Sequence, residues 1–194
     1  MGLKDSNEIT IKVMESVENL VKRLESKGFT KQETFSLDDY YMIPNNLEIE
    51  NISTREILSK AVIVRGIKRE KNSIPMLTFK RKEFNENGDI INQEAINCKV
   101  YNIEDARNFI KALNYIDLIN IKEDDIEYKK DDLSLAIKMV KNGDLLIEIE
   151  TEPNTEYDTI DKLKEAVKKL EIPILPNEYF IKKAEVELNK LLNR

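Results

Sequence analysis

The sequence contains no histidine, and a single cysteine, Cys98, among its 194 residues. The first absence removes Ser-His and Cys-His catalysis, imidazole metal ligation and an imidazole general base. The second excludes an intramolecular disulfide and a cysteine-built zinc site. No apolar run approaches the roughly 18–20 residues that span a bilayer. The opening MGLKDSN lacks the apolar core of a secretory signal, so a soluble, cytoplasmic protein is expected. Met1-Gly2 with Ser6 fits the myristoylation pattern, which is short enough to be met by chance. Five glycines, five prolines and no low-complexity stretch leave no sign of a long linker. Chemistry must therefore rest on carboxylates, lysine, arginine, tyrosine and a hard metal ion.

What remains is a hydrophobic fraction of 41% and a charged fraction of 35%, which suit one globular domain over residues 1–194. The formal net charge of −6 argues against duplex nucleic acid as a partner, because there is no basic excess to displace counterions. Oligomeric state is not legible.

Residues 8–14 (EITIKVM) alternate strictly and predict a strand. Ser16 opens a helix that Gly28 closes. A second strand over about 31–43 stops at Pro44. A short helix follows, capped by Ser53 or Thr54. Strands are expected at about 61–69, 75–84 and 90–101, the last two joined by a turn holding Asn87-Gly88. A helix over 103–113 puts Ile103, Ala106, Phe109, Ile110 and Leu113 on one face. Strands at 115–129 and 133–140, a turn at Asn142-Gly143, and a strand at 144–151 come next. Helices at about 157–170 and 177–192 complete the chain. The order and the hairpin-length links indicate an antiparallel α+β fold.

Each strand has one apolar face and one polar or small face. Ile9, Ile11 and Val13 oppose Glu8, Thr10 and Lys12; Leu145, Ile147 and Ile149 oppose Glu148 and Glu150; Leu133, Leu135, Ile137 and Met139 oppose Ser134, Ala136 and Lys138. Two architectures fit. One is an open sheet with helices on its apolar face and water on the other. The other is a closed barrel with the polar faces lining a lumen. Lys12, Arg65, Lys80, Lys122 and Lys138 would then stand beside Glu8, Glu148 and Glu150, a mixture suited to a polyphosphate and a divalent metal.

The chain resembles the CYTH superfamily, the triphosphate tunnel metalloenzymes, through five pieces in the family's order. Glu8-Ile9-Thr10-Ile11-Lys12 is similar to its opening E-x-E-x-K. Asp38-Asp39-Tyr40-Tyr41-Met42-Ile43-Pro44 looks like D-T-Y-F-D-T-P, Val62-Ile63-Val64-Arg65 like L-R-I-R, and Leu77-Thr78-Phe79-Lys80 like L-T-Y-K. Asn142 to Glu150 matches the closing L-G-x-F-x-E-I-E.

The resemblance implies a closed or nearly closed eight-stranded antiparallel barrel, with a tunnel core over 8–151 and packing helices over 157–192. It implies a metal-dependent triphosphatase with Mg2+ or Mn2+ as cofactor and a small-molecule triphosphate or nucleotide as ligand. Lys12, Arg65, Lys80, Lys122 and Lys138 would bind the triphosphate; Glu8, Glu148 and Glu150 would hold the metal; Glu8 and Lys12 would act in catalysis. Departures stand beside this. Thr10 replaces the second Glu, Met42 an Asp, Gln93, Ala95 and Asn97 the R-x-E-x-E strand, and Lys138 a lumenal Asp. Glu152 offers a further carboxylate beyond Glu150. A class IV adenylyl cyclase and a non-catalytic nucleotide or polyphosphate binder therefore remain open beside the hydrolase.

Overall fold

The computed structural model describes residues 8–84, 86, 90–176 and 178–194, and the expected Asn87-Gly88 turn lies outside them. Eight strands form one antiparallel sheet: β1 (Glu8–Lys12), β2 (Thr30–Pro44), β3 (Val62–Arg69), β4 (Ser73–Phe84), β5 (Ile90–Lys99), β6 (Tyr115–Lys130), β7 (Leu133–Val140) and β8 (Leu145–Glu150). Their spatial order is β1-β8-β7-β6-β2-β3-β4-β5. Five helices accompany them: α1 (Val17–Ser26), α2 (Thr54–Ser59), α3 (Ile103–Ala112), α4 (Ile160–Leu170) and α5 (Lys183–Leu192).

Local chemistry fixes the helix ends. The Ser16 side chain accepts from the Asn19 N–H at 3.3 Å, and Gly28 leaves α1 at φ 88, a left-handed turn that disfavours any Cβ. Ser53, one of the two expected caps, accepts from the Glu56 N–H, and Asn102 caps α3 through the Asp105 N–H.

The sheet curls strongly. β1 and β4 are first and seventh in the order, which in a flat sheet would separate them by about 29 Å. Yet Lys82 of β4 reaches Glu8 of β1 at 3.5 Å. The edges β1 and β5 do not pair among the described residues, so the sheet is an open half-barrel rather than a closed one. The free edge of β1 is instead bonded by the chain before α5. Thr10 N–H donates to Tyr179 O, Ile181 N–H to Thr10 O and Met14 N–H to Pro173 O. This covering of an edge explains why α5 begins at Lys183 and not near 177, as its periodicity suggests: the preceding residues spend their backbone groups on β1.

On the convex side, α1 and α4 bury Leu20, Leu24, Leu163 and Val167 against Ile9, Ile11, Ile137, Ile147 and Ile149, the apolar strand faces expected from alternation. α3 packs nearby on Met42 and Val64 through Ala106 and Ile110. The concave side departs from the expectation of a polar or small face. There Tyr41, Ile43, Ile63, Ile121 and Leu146 form an apolar layer with Ile57 of α2 and Leu188 of α5. These two helices enter the mouth of the half-barrel and are tied together by Arg55 and Glu185 at 3.2 Å and by a hydrogen bond from Thr54 to Asn189.

Candidate functional site

On the concave side lies a cavity of about 490 Å³, walled by residues of β1, β2, β3, β4, β5, β7, β8, α2 and the start of α5. Along β4 the alternation directs Thr78, Lys80 and Lys82 to this side. Thr78 donates to Asn97 of β5 at 2.8 Å, and Lys82 approaches Glu8. Lys80 makes no ion pair among the described residues, although it borders the cavity. Burial pushes its ammonium pKa down; Arg65 and Lys82 add to this, while Glu8 and Glu148 oppose it. Such a group gains from any anion that comes near.

β3 contributes Arg65, whose Nε and Nη2 donate to the two oxygens of Asp39 on β2 at 2.7 and 2.6 Å. Asp39 is fully buried, and burial alone would raise its pKa, but Arg65 outweighs it and holds the carboxyl below its ordinary range.

Across the cavity the cations of β7 and α5 are already paired with carboxylates. Lys138 Nζ of β7 lies 3.2 Å from Asp125, 3.3 Å from Glu148 and 3.5 Å from Glu123. Lys183, at the head of α5, reaches Glu123 at 2.6 Å. One oxygen each of Glu123 and Asp125 stays buried with no hydrogen-bond partner among the described residues. Burial, with Glu123 nearby, pushes the Asp125 carboxyl up to about 7 against the pull of Lys138. For Glu148 burial acts upward too, but Lys138, Lys80 and Lys183 prevail and hold it at about 2. Two carboxylates of one cluster are thus pushed in opposite directions.

Glu8 pairs in register with Glu150, and Thr10 with Glu148, across β1 and β8. One oxygen from each of Glu8, Glu148 and Glu150 lies within 4.8 Å of the others, a spacing that could hold a metal ion. An all-carboxylate set of this kind matches a hard divalent cation such as magnesium or manganese.

The residues singled out by sequence divide. Arg65, Lys80, Lys138, Glu8 and Glu148 border the cavity, and Glu150 adjoins it through the carboxylate cluster. Two placements are corrected. Lys122 stands on the convex side with Asp38 at 3.4 Å, because alternation on β6 directs Ile121, Glu123 and Asp125 to the concave side. The apolar Ile121 misleads here: it serves the concave layer under α2 and α5, not the outer core. Lys12 lies at the far end of β1, held by Asp144 at 2.7 Å, and does not border the cavity. Glu152 falls beyond β8, which ends at Glu150. The side chain of Gln93 lies outside the described residues. Reading by sequence missed Asp39, Glu123 and Asp125, put Lys82 on one face with Lys80 without a role, and weighed Lys183 at a tunnel mouth below a solvated face, whereas it borders the cavity. The i, i+2 spacing of Glu123 and Asp125 was the available signal, once Ile121 is assigned to the concave side.

No family model matches the sequence, and no curated protein matches it significantly. Solved structures do. The PH1819 protein of Pyrococcus horikoshii superposes with a TM-score of 0.72 at 13% identity, covering 95% of this chain and 99% of its own. An adenylate cyclase candidate from Vibrio parahaemolyticus gives 0.64 at 9% identity, covering 95% and 98%. The Hippeastrum protein HpAC1, an adenylyl cyclase candidate with a dominant triphosphatase activity, gives 0.61 at 13%, covering 91% and 90%. At these identities the likeness is one of fold: the chain shares the architecture of these proteins.

Proposed function

We propose that the cavity binds the phosphate chain of a small-molecule triphosphate together with magnesium or manganese, and hydrolyses it. The observation that carries this reading is Lys80, a cavity ammonium with no ion pair among the described residues, within the field of Glu8 and Glu148. These are two of the three carboxylates that can share a cation. A site holding an unspent cation beside a metal-ligating carboxylate set accommodates a metal-bound polyphosphate better than any neutral ligand.

Glu8, Glu148 and Glu150 would hold the ion, which when bound neutralises phosphate oxygens and polarises the phosphoryl group. The chain's own groups then have separate tasks. Lys80 and Lys82 face the phosphate oxygens from β4. Arg65 donates two of its N–H groups to Asp39 and keeps the others for the ligand. Lys138 is spent on three carboxylates, so it serves the site by keeping Glu148 ionised. With no histidine in the chain, the proton of an attacking water falls to a carboxylate, and Glu8 is the buried one at the cavity wall.

The test is orthophosphate release from tripolyphosphate, thiamine triphosphate and ATP with Mg2+ or Mn2+. Turnover is expected, and Glu148→Gln should lower it at least about 100-fold, in the range of lost charge stabilisation. The non-catalytic reading is favoured by one specific observation, the lysine set among the carboxylates of β6 and β8. Tight binding without release from any substrate would establish it and end the hydrolase. Cyclic AMP with pyrophosphate from ATP would mark a cyclase.

A further inference from the structure

Charged groups make up only part of the cavity lining. Leu58 of α2 and Ile181 and Ala184 around the start of α5 also border it, and all three stay only partly buried in the concave apolar layer. Ala61, Ile63 and Arg65 follow on one face of a single chain segment, so the wall passes from apolar to cationic over about 13 Å. A bare phosphate chain has nothing to set against the apolar end, whose side chains gain by being covered.

We infer that the ligand is an organic triphosphate whose ester group is small and aliphatic, and not inorganic tripolyphosphate; this rests on the phosphate reading above. The volume of about 490 Å³ falls within the roughly 300–1,000 Å³ typical of cavities that enclose drug-sized ligands. Among the described residues Tyr41 is the sole aromatic side chain at the wall, and at 8% exposure it is committed to the apolar layer. Among the described residues no free ring face is offered on which a nucleobase could stack. Aliphatic contact with Leu58, Ile181 and Ala184 is what the cavity offers instead.

The experiment is calorimetric titration of the whole protein, with Mn2+ present, by tripolyphosphate, pentyl triphosphate and ATP. Each methylene fully covered is worth about a fourfold gain in affinity. Pentyl triphosphate should therefore bind at least tenfold more tightly than tripolyphosphate, and ATP no more tightly than the pentyl ester. Ala184→Phe, which fills the apolar end, should shrink the gap between the pentyl ester and tripolyphosphate to less than threefold. The wild-type comparison decides alone if that variant does not fold. Equal or tighter binding of tripolyphosphate overturns the inference while leaving the phosphate reading intact. ATP tightest by tenfold overturns the aliphatic assignment. Binding of none of the three overturns both.

Discussion

Lys138 occupies the position of a cation among three carboxylates, two of them almost wholly removed from solvent. Removing one partner of such a cluster leaves uncompensated buried charge, which costs about 3–5 kcal/mol. Lys138→Met should therefore lower unfolding free energy by about that amount at neutral pH, as measured by urea denaturation; a loss under 1 kcal/mol would show that the cluster is not held by its lysine. Asp125 adds a pH signature. Its folded carboxyl is raised to about 7, so the native state binds its proton more tightly than the unfolded chain does. The stability this confers is full in acid and is lost as pH rises from about 4 through about 7. Asp125→Asn lacks that loss, so relative to wild type the variant should gain stability between pH 4.5 and 7.5. Parallel pH profiles would contradict the raised pKa. At this scale Lys138 stood out in the sequence as a basic residue on a motif's acidic position. Its partners did not, because Glu123 and Asp125 sit in the run Glu123-Asp124-Asp125, where only the fold says which carboxylates turn inward.

Among elements, the strands and most helices were legible because alternation and capping are local signals: Ser16 and Ser53 each cap a helix in the structure. α5 was half legible. Its periodicity was plain, but its start was hidden by Pro173, Leu175, Tyr179 and Ile181, whose backbone groups satisfy the β1 edge some 170 residues away in sequence. The position of α5 in the concave mouth, and with it Lys183 on Glu123, also depends on long-range packing. That position makes a contrast testable. Leu188 is fully buried in the concave layer, while Leu191 on the same helix is 54% exposed. Leu188→Ala should cost about 2–5 kcal/mol, and Leu191→Ala about 0.5 kcal/mol or less, both read from urea midpoints. Equal costs would mean that α5 does not fill the mouth of the half-barrel.

For the molecule as a whole, five motifs in order indicated an eight-stranded antiparallel sheet with flanking helices, closed or nearly closed into a barrel; the structure has the sheet and helices, but the sheet is open, with two unlike walls. On β6, β7 and β8 the carboxylates Glu123, Asp125 and Glu148 already occupy the cations Lys138 and Lys183. The β4 wall presents Lys80, which has no ion pair among the described residues. A phosphate chain should accordingly lie against β4, and the basic residues inferred from sequence should separate into those that bind and those that do not. The most direct measurement is calorimetric titration with tripolyphosphate and Mn2+ of wild type, Lys80→Ala and Lys122→Ala. Lys80→Ala should bind at least about tenfold more weakly, as fits the loss of one charge-assisted contact of about 1.5–3 kcal/mol. Lys122→Ala, on the convex side, should stay within about twofold of wild type, as fits loss of an exposed ion pair. Unchanged affinity in Lys80→Ala, or an equal loss in both variants, would contradict a phosphate site on the β4 wall.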